Sequence, residues 1–121
     1  FGSQLTGLGI SIVSALAARA GDRPLAVLYM PTLDELTATR WEAQLARHGL
    51  DPATVDRNRP FERLSAICAD LGLELIDPRP GLRAAEDTWE LYFPFNQHLT
   101  AEGNRLMAET LAPTIEALIR P

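Results

Sequence analysis

A side chain that could move a proton and a side chain that could orient it stand two positions apart near the C-terminal end of the chain. They are Asn96 and His98, in the stretch Leu91–Gly103, which reads LYFPFNQHLTAEG. An imidazole has an unperturbed pKa of about 6.5, so its neutral and charged forms are both accessible near neutral pH. A short polar side chain two positions earlier can turn back to hold the imidazole N–H and fix its tautomer. This pair therefore has the residue types that acid–base chemistry requires.

Both histidines of the chain also have non-catalytic, structural explanations. A single histidine before a helix is usually structural, as a cap or a satisfied polar contact, and this alternative stays open for His98. His48 precedes Gly49 at the end of a predicted helix, where the helix dipole favours a basic side chain. We assign it no catalytic role. The two histidines could form half a metal site, but no carboxylate stands at ligand spacing, so we expect no metal and no cofactor.

Length and composition limit the class of protein. The 121 residues make at most one ordinary domain, and 46% hydrophobic with 22% charged residues is typical of a globular chain. A net charge of −5 argues against nucleic acid and anionic membranes as partners, since both need a basic surface. No run approaches the ~18 apolar residues of a membrane span. The single cysteine, Cys68, excludes an internal disulfide and is predicted to be a buried, inert thiol.

Hydrophobic periodicity predicts four helices and two strands. Thr32 and Glu35 form a capping-box pattern, and Thr100 is a second N-cap candidate. The predicted helices are Leu5–Leu16, Leu33–Arg47, Phe61–Leu71 and a last helix after Thr100 that buries Leu106, Met107, Leu111, Ile115 and Leu118. The predicted strands are the apolar runs Leu25–Met30 and Leu73–Asp77, each of the kind that is buried on both faces of a parallel sheet.

Strands that alternate with helices predict an α/β fold with right-handed crossovers and a parallel sheet between helix layers. Two parallel strands do not make a self-sufficient sheet, since three or more are normally needed. We therefore expect the sheet to be completed from outside these strands. The partner would be a copy of the chain, in a homo-oligomer or swapped dimer, or a missing N-terminal part of the same domain.

The segments Leu73–Asp77, Leu91–Pro94, Asn96–Leu99 and Ala101–Ala108 together resemble the C-terminal block of the SGNH (GDSL-type) hydrolase family. In that block a strand ends in an acidic residue, and a loop supplies an Asp and a His before a Gly-containing helix start. The resemblance extends back over Leu25–Pro31, and its specific part is Leu91–Ala108. It implies that residues 1–121 are the C-terminal portion of one such domain, with a flavodoxin-like three-layer α/β/α fold.

The same resemblance implies a reaction. It assigns His98 as the general base that takes a proton from a serine nucleophile and returns it to the leaving alcohol, in ester hydrolysis or acyl (acetyl) transfer. The substrate would be a small ester or an acylated carbohydrate. Aromatic residues precede the histidine and would either line an acyl pocket or anchor the loop on the core; they are Trp89, Tyr92, Phe93 and Phe95.

The chain departs from the family pattern where the family has its aspartate, because that position is Asn96. An asparagine carbonyl can accept from the imidazole N–H but cannot neutralise the imidazolium, and a neutral amide there costs roughly 10⁴ in rate in a serine protease. Asp87 or Glu90, on the same loop, could substitute for it.

The second departure concerns the nucleophile. The family's serine sits in a Gly-Asp-Ser turn after its first strand, and Phe1-Gly2-Ser3 only partly matches that turn, with no aspartate and no preceding strand. Ser3 is better explained as a helix cap or the remnant of a truncation, so we expect the nucleophile to lie outside this chain. The alternative from another class is a non-catalytic α/β segment, a degenerate relative that binds or assembles through its unfinished sheet.

Overall fold

The structure, a computed structural model, describes residues 2–120, with side chains from residue 7 to residue 120. It is mostly helical, with two short strands. In chain order the elements are α1 (Gly2–Ala20), β1 (Ala26–Leu28), α2 (Leu33–Leu36), α3 (Ala38–His48), α4 (Arg59–Asp70), β2 (Glu74–Ile76), α5 (Arg79–Arg83), a 3-10 helix (Thr88–Leu91) and α6 (Ala101–Ile119). The mixed α/β class predicted from the sequence is confirmed.

The two strands pair in parallel, as predicted, with Val27 opposite Leu75 at the centre of the register. The pairing continues one residue beyond β1, where the N–H of Tyr29 donates to the carbonyl of Ile76 at 3.0 Å. Each strand has three residues, and these are half-buried or exposed. The expectation that both strands are buried on both faces is therefore wrong for the described chain, because helices cover them only in part.

The predicted helix Leu33–Arg47 is interrupted at Thr37. Thr32 starts α2 with the complete capping box, in which its hydroxyl accepts from the N–H of Glu35 and the Glu35 carboxylate accepts from the N–H of Thr32. Thr37 is then extended, with φ −114° and ψ 117°, a conformation that β-branched residues favour. The break directs Leu33 and Leu36 into one core while α3 continues in a new direction to its left-handed C-cap, Gly49.

The main core lies between α2, α5, the 3-10 helix and the first half of α6. Its members are buried apolar side chains, and Leu28 of β1 packs against them: Leu33, Leu36, Leu82, Leu91, Tyr92 and Met107. Ile115 was expected in this core but is 43% exposed, because the second half of α6 extends beyond the packed elements. Cys68 is buried, as predicted, and burial raises the pKa of its thiol.

Helix α1 carries an exposed apolar surface. It packs against α4, yet Leu8, Ile12 and Leu16 each leave more than half of their surface in solvent. The side chain of Leu5, which belongs to the same predicted helix, lies outside the described residues. Within residues 2–120 no helix combines the length and the apolar character needed to cross a membrane.

Candidate functional site

His98 lies in a short hairpin that joins the 3-10 helix to α6. Tyr92 and Leu99 form an antiparallel bridge, and the N–H of Phe93 donates to the carbonyl of His98 at 2.8 Å. The turn between them closes where the N–H of Gln97 donates to the carbonyl of Phe93. His98 is exposed at the base of this turn. Its backbone is thus fixed on both sides, while its imidazole faces solvent.

The start of α6 fixes the hairpin to the core. The Thr100 hydroxyl accepts from the N–H of Gly103 at 3.1 Å and donates to the carbonyl of Glu90 at 2.6 Å, which confirms the predicted N-cap. The N–H of Thr100 donates to the carbonyl of Leu91 at 2.9 Å. That carbonyl passes so close to Gly103 that a β-carbon there would lie 2.1 Å from its oxygen. The glycine therefore permits the close packing of the start of α6 against Leu91, at the base of the hairpin that carries His98.

A cleft of about 410 Å³ opens beside His98. One wall comes from the hairpin and α6, and the other comes from the segment Met30–Thr32, which directly follows β1. The cleft is lined by Met30, Pro31, Thr32, Tyr92, Gln97, His98, Leu99 and Asn104. Parallel α/β sheets hold ligands beyond the carboxyl ends of their strands. His98 thus stands in the position that this rule predicts for a functional group.

Asn96 does not make the contact expected of it. Its Oδ1 accepts from the backbone N–H of His98 at 3.1 Å, which stabilises the turn in the manner of an Asx turn. The expected contact with the imidazole is therefore replaced by a contact with the backbone of the same residue. Asp87 and Glu90 do not substitute for it, because they line a different depression beside Glu102 and Arg105.

Gln97, between the two candidate residues, has three unusual features. Among the described residues it is the one non-glycine with positive φ, at 55°, a conformation that costs a side-chain-bearing residue roughly 1–2 kcal/mol. Its Nε2 donates to Oδ2 of Asp34 at 3.2 Å. Within the described part of the chain its Oε1 is shielded from solvent and has no hydrogen-bond partner. Such an orphan acceptor costs about 1–3 kcal/mol, so the turn is held in a strained state.

Asp34, on α2, holds this arrangement in place. Its other oxygen, Oδ1, accepts from Nε of Arg40 at 2.7 Å, and the guanidinium of Arg40 lies 4.5 Å from the centre of the Trp89 ring. The carboxylate thus connects α2, α3 and the hairpin. No local pattern predicts this contact, because Asp34 and Gln97 are 63 positions apart.

The aromatic residues of the loop divide into an anchor and an exposed set. Tyr92 is buried, and its hydroxyl donates to the carbonyl of Pro31 at 2.9 Å, which ties the hairpin to the end of β1. Burial, with the nearby charge of Glu35, raises the pKa of Tyr92 to about 12. Phe93 and Phe95 are exposed, Phe95 almost completely. The sequence left open whether these rings line an acyl pocket or anchor the loop on the core. Tyr92 anchors the loop, and it also lines the cleft.

A second polar cluster joins the ends of both strands. Arg79 is buried, forms two hydrogen bonds of 2.8 Å with the Asp77 carboxylate, and lies 3.6 Å from the centre of the Phe61 ring. The Tyr29 hydroxyl donates to Glu35, and burial, this hydrogen bond and the charge of Glu35 raise the pKa of the phenol. These hydrogen bonds and ring contacts stabilise the ends of the two strands.

The lining of the cleft includes two hydroxyl groups, and both are engaged. Thr32 donates to Glu35 in the capping box, and Tyr92 donates to Pro31. The side chain of Ser3 lies outside the described residues, and the other serines, Ser11, Ser14 and Ser65, stand on α1 and α4 away from the cleft lining. The described residues therefore supply a histidine to the cleft and no serine. They also bring together no three His, Cys, Asp or Glu side chains that could hold a metal.

No family model, curated protein or solved structure matches this chain. The candidate site consequently stands on its own geometry, which is a histidine at a cleft, a wall formed by Met30–Thr32 beyond β1, and the Gln97 amide oxygen, unpaired among the described residues.

Proposed function

We propose that this chain is the histidine-bearing, C-terminal part of an SGNH-type hydrolase domain with a flavodoxin-like α/β/α fold. His98 acts as general base and acid in ester hydrolysis or acyl transfer on a small ester or an acylated carbohydrate. The observation that carries the proposal is the cleft. An exposed histidine on a hydrogen-bonded hairpin shares the cleft with Met30–Thr32, just beyond the carboxyl end of β1.

In this proposal the nucleophilic serine comes from a polypeptide segment outside the described residues. That segment approaches the cleft on the side of Met30, which is 53% exposed. His98 takes the serine proton as the oxygen attacks the ester carbonyl, and then gives that proton to the leaving alcohol. Asn96 supports the reaction indirectly, because its hydrogen bond to the backbone N–H of His98 fixes the turn that presents the ring.

The test is turnover of p-nitrophenyl acetate by the intact protein that contains these 121 residues. His98→Ala should lower kcat by roughly 10²–10⁴, the range that a general base contributes. His48→Ala is the matched control, because it removes the chain's other histidine, exposed at the end of α3, and should leave kcat unchanged. Absence of turnover in the intact protein, or turnover that survives His98→Ala, would exclude the hydrolase.

Asn96→Asp tests the orienting position directly. An aspartate can keep the hydrogen bond to the backbone N–H of His98 and adds the charge that stabilises an imidazolium. The added charge lies two residues from the imidazole and should raise kcat by about tenfold, less than the roughly 10⁴ that a neutral amide in direct contact with the ring costs. An unchanged kcat would mean that Asn96 serves only the turn.

A second candidate function, from a different class, is binding or assembly without catalysis. The observation that favours it is the exposed apolar surface of α1 together with a sheet of only two described strands. Sedimentation velocity of the 121-residue chain should then report a dimer or a higher oligomer. A stable, compact monomer would contradict this assembly.

A further inference from the structure

Gln97 offers a hydrogen-bond acceptor that no group among the described residues uses. Its amide is held at the nitrogen end by Asp34, at 3.2 Å, and Asp34 is held in turn by Arg40. This leaves the amide orientation fixed, because a reversed amide would set its oxygen against the Asp34 carboxylate. The oxygen Oε1 is shielded from solvent and unpaired, and the residue lines the same cleft as His98.

The backbone of Gln97 is strained as well. Gln97 adopts φ 55°, a conformation that glycine or asparagine would adopt with less strain. Neither of those residues could span the distance to Asp34 as a glutamine does. Strained backbone and an unsatisfied buried acceptor in one residue are typical of positions kept for a ligand.

We infer that Gln97 is the residue by which the cleft recognises its occupant, through a hydrogen bond from a hydroxyl of the ligand to Oε1. This inference rests on the proposed function and names its substrate class: an ester whose alcohol or acyl part carries a free hydroxyl group, as in polyol and sugar esters. Because Oε1 is shielded from solvent, a ligand reaches it only when the turn shifts slightly. The preceding turn residues, Phe93–Asn96, are all exposed, so packing does not oppose a shift in which Nε2 stays bonded to Asp34. A carboxylate at this position would be repelled by Asp34, which explains why the acceptor is a neutral amide.

The experiment compares two probes of similar size, glycerol monoacetate and propyl acetate, which differ in the hydroxyls of the alcohol part. Binding is read from the methyl resonances of the intact protein labelled with [methyl-¹³C]methionine. The 121 residues contain two methionines: Met30 lines the cleft, whereas Met107 is buried in the core and reports whether the fold is intact. This readout needs no turnover, so it separates failure of the inference from failure of the proposed reaction, which His98→Ala tests.

Two variants remove the acceptor. Gln97→Leu deletes the acceptor. Gln97→Asn shortens the side chain by one methylene, which moves the acceptor away from the ligand. Because asparagine tolerates the left-handed backbone, this second variant protects the test against misfolding. Gln44→Leu, on α3, is the matched control. Both Gln97 variants should weaken binding of glycerol monoacetate about tenfold, the effect of one hydrogen bond, and leave propyl acetate within about twofold.

The contrary results are equally definite. Equal weakening of both probes would assign Gln97 a purely structural role in the hairpin. No weakening of either probe, or no shift of Met30 with glycerol monoacetate in the unsubstituted protein, would mean that Oε1 does not bind a hydroxyl of the ligand.

Discussion

Replacing Gly103 by alanine tests the contact that positions the histidine hairpin. The added methyl would lie 2.1 Å from the carbonyl oxygen of Leu91 and 3.0 Å from Cδ2 of Leu99. Carbon and oxygen normally come no closer than about 3.3 Å, so the hairpin must move away by roughly 1 Å. Because the obstacle is a backbone atom, no change of rotamer relieves it.

The magnitude follows from three effects. Overpacking costs about 1–3 kcal/mol, and the upper end applies to a backbone obstacle. Loss of the hydrogen bond between Thr100 and the same Leu91 carbonyl costs about 1 kcal/mol more. Alanine returns about 1 kcal/mol through its higher helix propensity. The net destabilisation is about 2–3 kcal/mol, which lowers the Tm by about 8–12 °C for a chain of this size.

Two other glycines provide graded controls in the same assay, thermal and urea unfolding followed by circular dichroism. At Gly81 a methyl would meet the Thr110 hydroxyl at 2.5 Å, but that side chain can rotate, so the loss should be smaller than at Gly103. At Gly9, within α1, a methyl meets nothing within 4 Å, and helix propensity should stabilise the protein by up to about 1 kcal/mol. A Gly103→Ala protein as stable as the unsubstituted one would refute the reasoning.

Two further predictions concern the same half of the molecule. Thr100→Ala should destabilise the protein by about 1–2 kcal/mol in urea unfolding, since it removes the N-cap of α6, whereas Thr100→Ser should retain most of the stability. Burial acts to raise the pKa of Asp77, but hydrogen bonds and charge from Arg79 outweigh it, so the pKa is lower than its ordinary 3.8. The stabilisation from this carboxylate is therefore present above pH about 4 and is lost as the pH falls through the lowered pKa of Asp77. Asp77→Asn should therefore reduce the difference between the urea midpoints measured at pH 6 and at pH 2.5.

Local sequence signals predicted the elements that depend on neighbouring residues. The capping box at Thr32, the N-cap at Thr100, the left-handed Gly49 and the parallel pair of strands all appear where the pattern indicated them. Each of these is decided within a few residues, or by apolar runs bounded by glycine and proline. The break at Thr37 was missed, because capping and periodicity on both sides favoured one continuous helix.

The candidate site was predictable only in part, and for a physical reason. The sequence indicated His98 through its residue type and its place after an aromatic loop, and the structure brings it to a cleft beyond β1. The contact expected between the Asn96 side chain and the imidazole is replaced by an Asx turn, in which Asn96 Oδ1 accepts from the backbone N–H of His98. Gln97 and Asp34 carried no signal at all, since their contact depends on how α2 packs against the hairpin.

The two walls of the cleft come from parts of the chain that are far apart. The bonds that join them, from Tyr92 to Pro31 and from Gln97 to Asp34, close loops of 61 and 63 positions. Closing such loops is entropically unfavourable, and contacts of this range form slowly compared with helices. We therefore expect α3, α4 and α6 to form early in folding, and the cleft to be among the last parts of the protein to become ordered.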